Sequence, residues 1–143
     1  MNGIEKSNRR VEMSAVLSDA VYEYEKGYTA GEDNPIQRTE IFLKDAGIDE
    51  DSYEIVDKMY DPDSGVAAIA VKDTKTGETY IAYAGTNMDA DGHKDIIVDA
   101  AIGLNDTLYL KEKNKPALDF YDRVEASGRY ISTTTGHSYG VFQ

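Results

Sequence analysis

The spacing of apolar residues changes character along the chain. Between Val11 and Tyr24 they recur at helical intervals, at Met13, Val16, Leu17, Ala20, Val21 and Tyr24, which predicts an amphipathic helix ending at Gly27. The polar residues 1–10 are read as a frayed, disordered tail. After the loop TAGEDNP, Ile36 to Ala46 predicts a second helix, with Ile41, Phe42 and Ala46 inward and Gly47 as its stop. The period then shortens. SYEIVDKMY predicts a strand over Ser52–Tyr60. Val66–Val71 and Thr79–Ala84 predict the two arms of a hairpin, joined by a loop in which Gly77 takes the left-handed backbone position. Both arms are nearly continuous apolar runs, the pattern of strands covered on both faces.

The polar loop TNMDADGHK follows, then a helix over Asp95–Leu104. KEKNK reads as a solvated loop, and Pro116–Glu125 as a helix with proline near its start and Gly128 at its end. Tyr130–Thr135 reads as a strand. Helices, then an antiparallel hairpin, then helix and strand predict an α/β protein. The expectation is one partial domain over residues 1–143, the N-terminal part of a mixed sheet with flanking helices. There are no internal repeats.

Composition narrows the partners. With 27 acidic residues against 15 Lys and Arg, the net charge is −12, which argues against nucleic acid, whose phosphates are neutralised by Lys and Arg. The absence of cysteine excludes disulfides and thiolate metal sites and leaves the redox compartment open. No apolar run is long enough for a transmembrane segment. The N-terminus lacks the apolar core of a secretory signal. Localisation is therefore undetermined between the cytoplasm and export by a signal-independent route.

The chemistry-bearing stretch is Gly136-His137-Ser138-Tyr139-Gly140, placed directly after the last predicted strand. A G-x-S-x-G element presents a serine on a tight strand-to-helix turn, where small flanking residues relieve backbone crowding. Upstream lie Tyr83-Ala84-Gly85-Thr86 and Asp95-Ile96-Ile97-Val98-Asp99. Together, in this order, the segments over roughly residues 79–140 resemble the class 3 lipases, the fungal triacylglycerol lipases and their bacterial relatives. Three positions depart from that family's pattern: Ala84 for an arginine, Ile96 for a tryptophan and Tyr139 for a leucine.

The resemblance implies an α/β-hydrolase fold and an acyl ester or lipid substrate. Ser138 would be the nucleophile, the backbone N–H groups of Thr86 and Tyr139 would form the oxyanion hole, and no cofactor would be needed. In that fold the acid and the histidine of the triad follow the serine. His137 is adjacent to Ser138 and cannot fold back onto it. His93, in the polar loop after the oxyanion element, could swing over the site, but the family assigns no base there. The triad acid and histidine are therefore expected beyond Gln143 or on another chain. Residues 1–143 alone are expected to be inactive and to associate with the remainder of the domain, or with themselves, along an exposed sheet edge.

The alternative is a non-catalytic binding domain on the same fold, with calcium in the Asp89–Asp95 loop. Asn87, Asp89, Asp91 and Asp95 lie near the first nine positions of an EF-hand loop, with Gly92 between them. The twelfth position, which such a loop fills with a bidentate glutamate, is Val98. The preferred reading is a solvated loop whose Asp95 caps the next helix, with no metal. The 11 tyrosines are read mostly as element-edge residues.

Overall fold

A computed structural model describes residues 2–85 and 107–137. Helix α1 (Gly3–Thr29) and helix α2 (Ile36–Asp45) are followed by a 3-10 turn (Glu50–Ser52) and the strands β1 (Tyr53–Asp61), β2 (Val66–Asp73) and β3 (Thr79–Gly85). Helix α3 (Thr107–Ala126) leads to strand β4 (Ile131–His137). The four strands form one mixed sheet in the order β1-β2-β3-β4. The pairs β1–β2 and β2–β3 are antiparallel, and β3–β4 is parallel. Among the described residues no helix is long and apolar enough to cross a membrane.

Strands β2 and β3 are buried on both faces, as their unbroken apolar runs require. Side chains alternate along β3. Tyr80, Ala82 and Ala84 belong to one core with Met13, Leu17 and Val21 of α1 and Leu43 of α2. Ile81 and Tyr83 belong to a second core with Ala117, Leu118, Phe120 and Val124 of α3. The sheet is thus a middle layer with α1 and α2 on one face and α3 on the other. The hairpin between β2 and β3 turns where expected, with Gly77 at φ 79°.

Five expectations are corrected. Residues 3–10 are not a tail: the helix begins at Gly3, where the side chains of Asn2 and Glu5 each accept the other's backbone N–H in a capping box. Gly27 does not stop α1 but lies inside it, at a close crossing. A Cβ there would meet the Pro35 Cα at 3.0 Å and the Glu32 Oε1 at 2.9 Å, so only glycine lets α2 turn back so tightly. Helix α2 is rotated from the predicted face. Thr39 and Leu43 are buried and Ile41 is 54% exposed, because the Thr39 hydroxyl reaches the Ala20 carbonyl of α1 at 3.3 Å.

KEKNK is not a loop, and Pro116 lies in the middle of α3. Lys and Glu are strong helix formers, so a charged run carries a helix as readily as a loop. Burial of Ala117, Leu118, Phe120 and Val124 offsets the proline's cost of about 3 kcal/mol. Finally, Tyr80 and Tyr83 are interior rather than edge residues, at 0% and 1% exposure.

Candidate functional site

The parallel pair β3–β4 sets the geometry. Its register pairs Tyr83 with Gly136 and Ala84 with His137, so Gly85 and His137 stand at the same end of neighbouring strands. From these two ends the chain continues into Thr86 and into Ser138. The carboxyl ends of parallel strands are where open α/β sheets gather their ligands. Thr86, Asn87, Asp89, Asp91, His93, Asp95, Ser138 and Tyr139 lie outside the described residues, as does the predicted Asp95–Leu104 helix. Among the described residues no group of His, Asp or Glu is placed to hold a metal.

What fixes these strand ends is described. On the α3 face, the fully buried Tyr83 donates its hydroxyl to the Ala117 carbonyl at 3.0 Å. Burial drives its ionisation far above the ordinary tyrosine range. On the α1 face, the Ser18 hydroxyl donates to the Ser14 carbonyl at 2.8 Å and lies 2.6 Å from the Thr135 hydroxyl. Because Ser18 has spent its one proton on Ser14, Thr135 is the donor of that second bond. Thr135 is three residues before Ser138. Helix α1 therefore holds β4 close to its carboxyl end.

The opposite end of the sheet is clasped by the first turns of the same helix. Arg9 grips Asp73 with Nε at 2.7 Å from Oδ2 and Nη2 at 3.2 Å from Oδ1. Asp73 is 0% exposed and also accepts the Lys75 backbone N–H at 2.9 Å, inside the hairpin turn. Arg10 forks onto the Glu78 carboxylate on the other side of that turn. The Asp73 hydrogen bond and charge raise the Arg9 guanidinium above its usual value, against the opposing effect of burial. These pairs escape a local reading because they join residues 64 and 68 positions apart. Their one trace in the sequence is an Arg-Arg step in a chain with an excess of acid.

A comparison of the chain with models of known families, with curated proteins and with solved structures finds no match.

Proposed function

We propose that this chain carries the nucleophile of a serine ester hydrolase, on an α/β-hydrolase sheet. Ser138 attacks the carbonyl of an acyl ester, and the developing oxyanion is held by the backbone N–H groups of Thr86 and Tyr139. The leaving alcohol departs as the tetrahedral adduct collapses to an acyl-serine, which water then hydrolyses. The observation that supports the reading is the parallel register of β3 and β4, which brings the strand leading into Gly85-Thr86 beside the strand leading into His137-Ser138. An oxyanion hole of this kind needs donors from two such adjacent strand ends.

The reading requires a general base for Ser138, because a serine hydroxyl is a weak nucleophile alone. Neither His93 nor His137 is assigned that role. The base and its acid partner are to be sought on the longest natural form that carries residues 1–143.

Fluorophosphonate labelling of that form tests the proposal. Ser138→Ala is expected to abolish both labelling and hydrolysis of a short-chain ester, with an unchanged circular dichroism spectrum. Equal labelling of wild type and variant would sink the proposal and favour a non-catalytic binding domain.

A further inference from the structure

A groove of about 480 Å³ runs between α2 and the start of β1. One wall is Gln37, Glu40, Ile41 and Lys44, a single helical face at i, i+3, i+4 and i+7. The other is the strand itself, Tyr53–Ile55, and Ile48 and Glu50 line the groove from the connection between the two. It lies far from the candidate acyl site. Strand β1 is at the opposite side of the sheet from β4, and Tyr53 pairs with Asp73 beside the hairpin turn, at the other end from Gly85 and His137.

The strand wall is an open edge over a short window. Among the described residues, β1 ends the sheet. The Thr74 N–H donates to the Ser52 carbonyl at 3.1 Å, so Ser52 turns that carbonyl toward β2. Backbone direction alternates along an antiparallel strand, which aims the N–H and C=O of Tyr53 and Ile55 away from β2. No described residue occupies them there. Further along, the edge is closed. The register slips between Ile55 and Asp57. The Lys58 N–H is taken by the Asp57 Oδ1 at 2.8 Å, and the Lys58 carbonyl accepts from the Arg123 Nη2 at 3.3 Å. Bulges and charged side chains are the means by which proteins keep an edge strand from pairing. Here they guard the middle of β1 and leave the stretch beside the groove open.

The lining selects the occupant. Ile41 is exposed, and Ile48, Tyr53 and Ile55 add apolar surface on the same side, where Tyr53 and Ile55 pack against the α1–α2 core. Glu40, Glu50 and Glu54 against Lys44 leave the groove two negative charges. None of these four side chains is hydrogen-bonded or ion-paired to a described residue, and all four are exposed. Burial pushes the Tyr53 hydroxyl above the ordinary tyrosine range, and the Glu40 and Glu50 charges add to the rise, so carboxylates from two separate elements bear on one point. An acidic groove on a chain of net charge −12 repels a second copy, a nucleic acid and an anionic membrane surface alike. It suits a cationic partner that brings its own backbone to the open edge.

We propose that this groove docks an extended basic segment of a partner protein, paired to the Tyr53 and Ile55 backbone. Alternate residues of a strand face one side, so the segment reads basic-x-apolar-x-basic, with its cations on Glu40 and Glu50 and its apolar residue on Ile41 and Ile48. Fluorescence anisotropy of a labelled acetyl-Lys-Thr-Val-Thr-Lys-amide, titrated with the chain, tests it. Saturable binding that weakens with added salt is expected. Glu40→Gln combined with Glu50→Gln should weaken it roughly fivefold or more, the weight of two exposed ion pairs. Asp63→Asn, an acid in the loop at the far end of β1, should leave it unchanged. Neighbouring N–H groups of a strand point to opposite sides, so N-methylation at the valine and at the threonine after it should differ, one weakening binding roughly tenfold and the other little. No saturable binding, equal binding of the glutamate-for-lysine peptide, equal weakening by Asp63→Asn, or the same response to both methylations would each overturn the proposal. Self-association of the chain that the two glutamine substitutions strengthen would overturn it as well, by giving the groove to a second copy.

Discussion

The two faces of the sheet are closed by different means. Toward α1 and α2, an apolar interior is ringed by polar clasps: Arg9 on Asp73, Arg10 on Glu78, Ser18 on Thr135. Toward α3, the contact is largely apolar, around Phe120 and Tyr83, with the Tyr83 hydroxyl on the Ala117 carbonyl and Arg123 on Asp57 at the margin. The hydrophobic effect carries no direction, so apolar burial holds a helix on a sheet without fixing its position along it. Ion pairs and hydrogen bonds do fix position. Helix α1 is therefore the element that sets where the hairpin turn and the carboxyl end of β4 sit relative to each other, while α3 mainly supplies burial.

The largest effects should come from the apolar residues and be similar on both faces. Phe120→Ala removes a ring at 1% exposure and should cost about 3–5 kcal/mol, and Leu17→Ala should cost about 2–5 kcal/mol. Urea unfolding measures both. A loss below about 1 kcal/mol at Phe120 would mean that α3 does not close its face as described.

The clasps should cost less and act in a different place. Arg9→Met leaves the Asp73 carboxylate buried without its cation, which costs about 3 kcal/mol, the low end for a broken buried pair because Arg9 keeps 13% exposure. Hydrogen exchange should speed up first at residues 73–79, the turn that the clasp holds. Exchange that accelerates evenly over the sheet would contradict the positional role. Ser18→Ala removes the acceptor of the Thr135 hydroxyl and should cost about 1 kcal/mol, with faster exchange confined to β4.

The same division separates what could be read in the sequence from what could not. The hairpin was legible almost to the residue, because two unbroken apolar runs around a glycine turn have few other solutions. The α/β layering followed from those runs as well, since strands buried on both faces need helices on both sides. The clasps were hidden. Nothing local marks Asp73 as a partner for Arg9, and a polar N-terminus looks like a tail until its capping box is seen. Pro116 misled in the opposite way, since a strong local signal was outweighed by the tertiary burial of Ala117, Leu118 and Phe120. For the candidate site, the order of the motifs was legible. The parallel register that sets Gly85 beside His137 was not, because strand pairing is a long-range property.

The smallest expected effect is the sharpest comparison, because Tyr80 and Tyr83 sit on the same strand and face opposite layers. Both are buried, yet the Tyr83 hydroxyl has the Ala117 carbonyl as its partner and the Tyr80 hydroxyl has none among the described residues. Tyr83→Phe removes one of the two bonds made to that helical carbonyl and should cost about 1 kcal/mol at neutral pH. Tyr80→Phe removes a desolvated hydroxyl that gains nothing in return, so stability should hold or rise by up to about 1 kcal/mol. Alkaline titration separates the two states further. Burial pushes Tyr80 up to about 12 from an ordinary 10.0, the nearby Glu78 and Asp73 charges add to the rise, and Arg10 and Arg9 oppose it. A phenol whose proton is held more tightly in the folded state contributes full stability below pH 10, and loses it progressively as pH climbs from 10 toward 12. The wild type should therefore weaken across that window, and Tyr80→Phe should weaken less. Phenolate absorbance recorded beside the unfolding signal reads both: Tyr80 should ionise only as the fold gives way. A Tyr80→Phe variant clearly less stable than wild type at pH 7 would show that the hydroxyl does have a partner, and that the α1 face holds one more clasp.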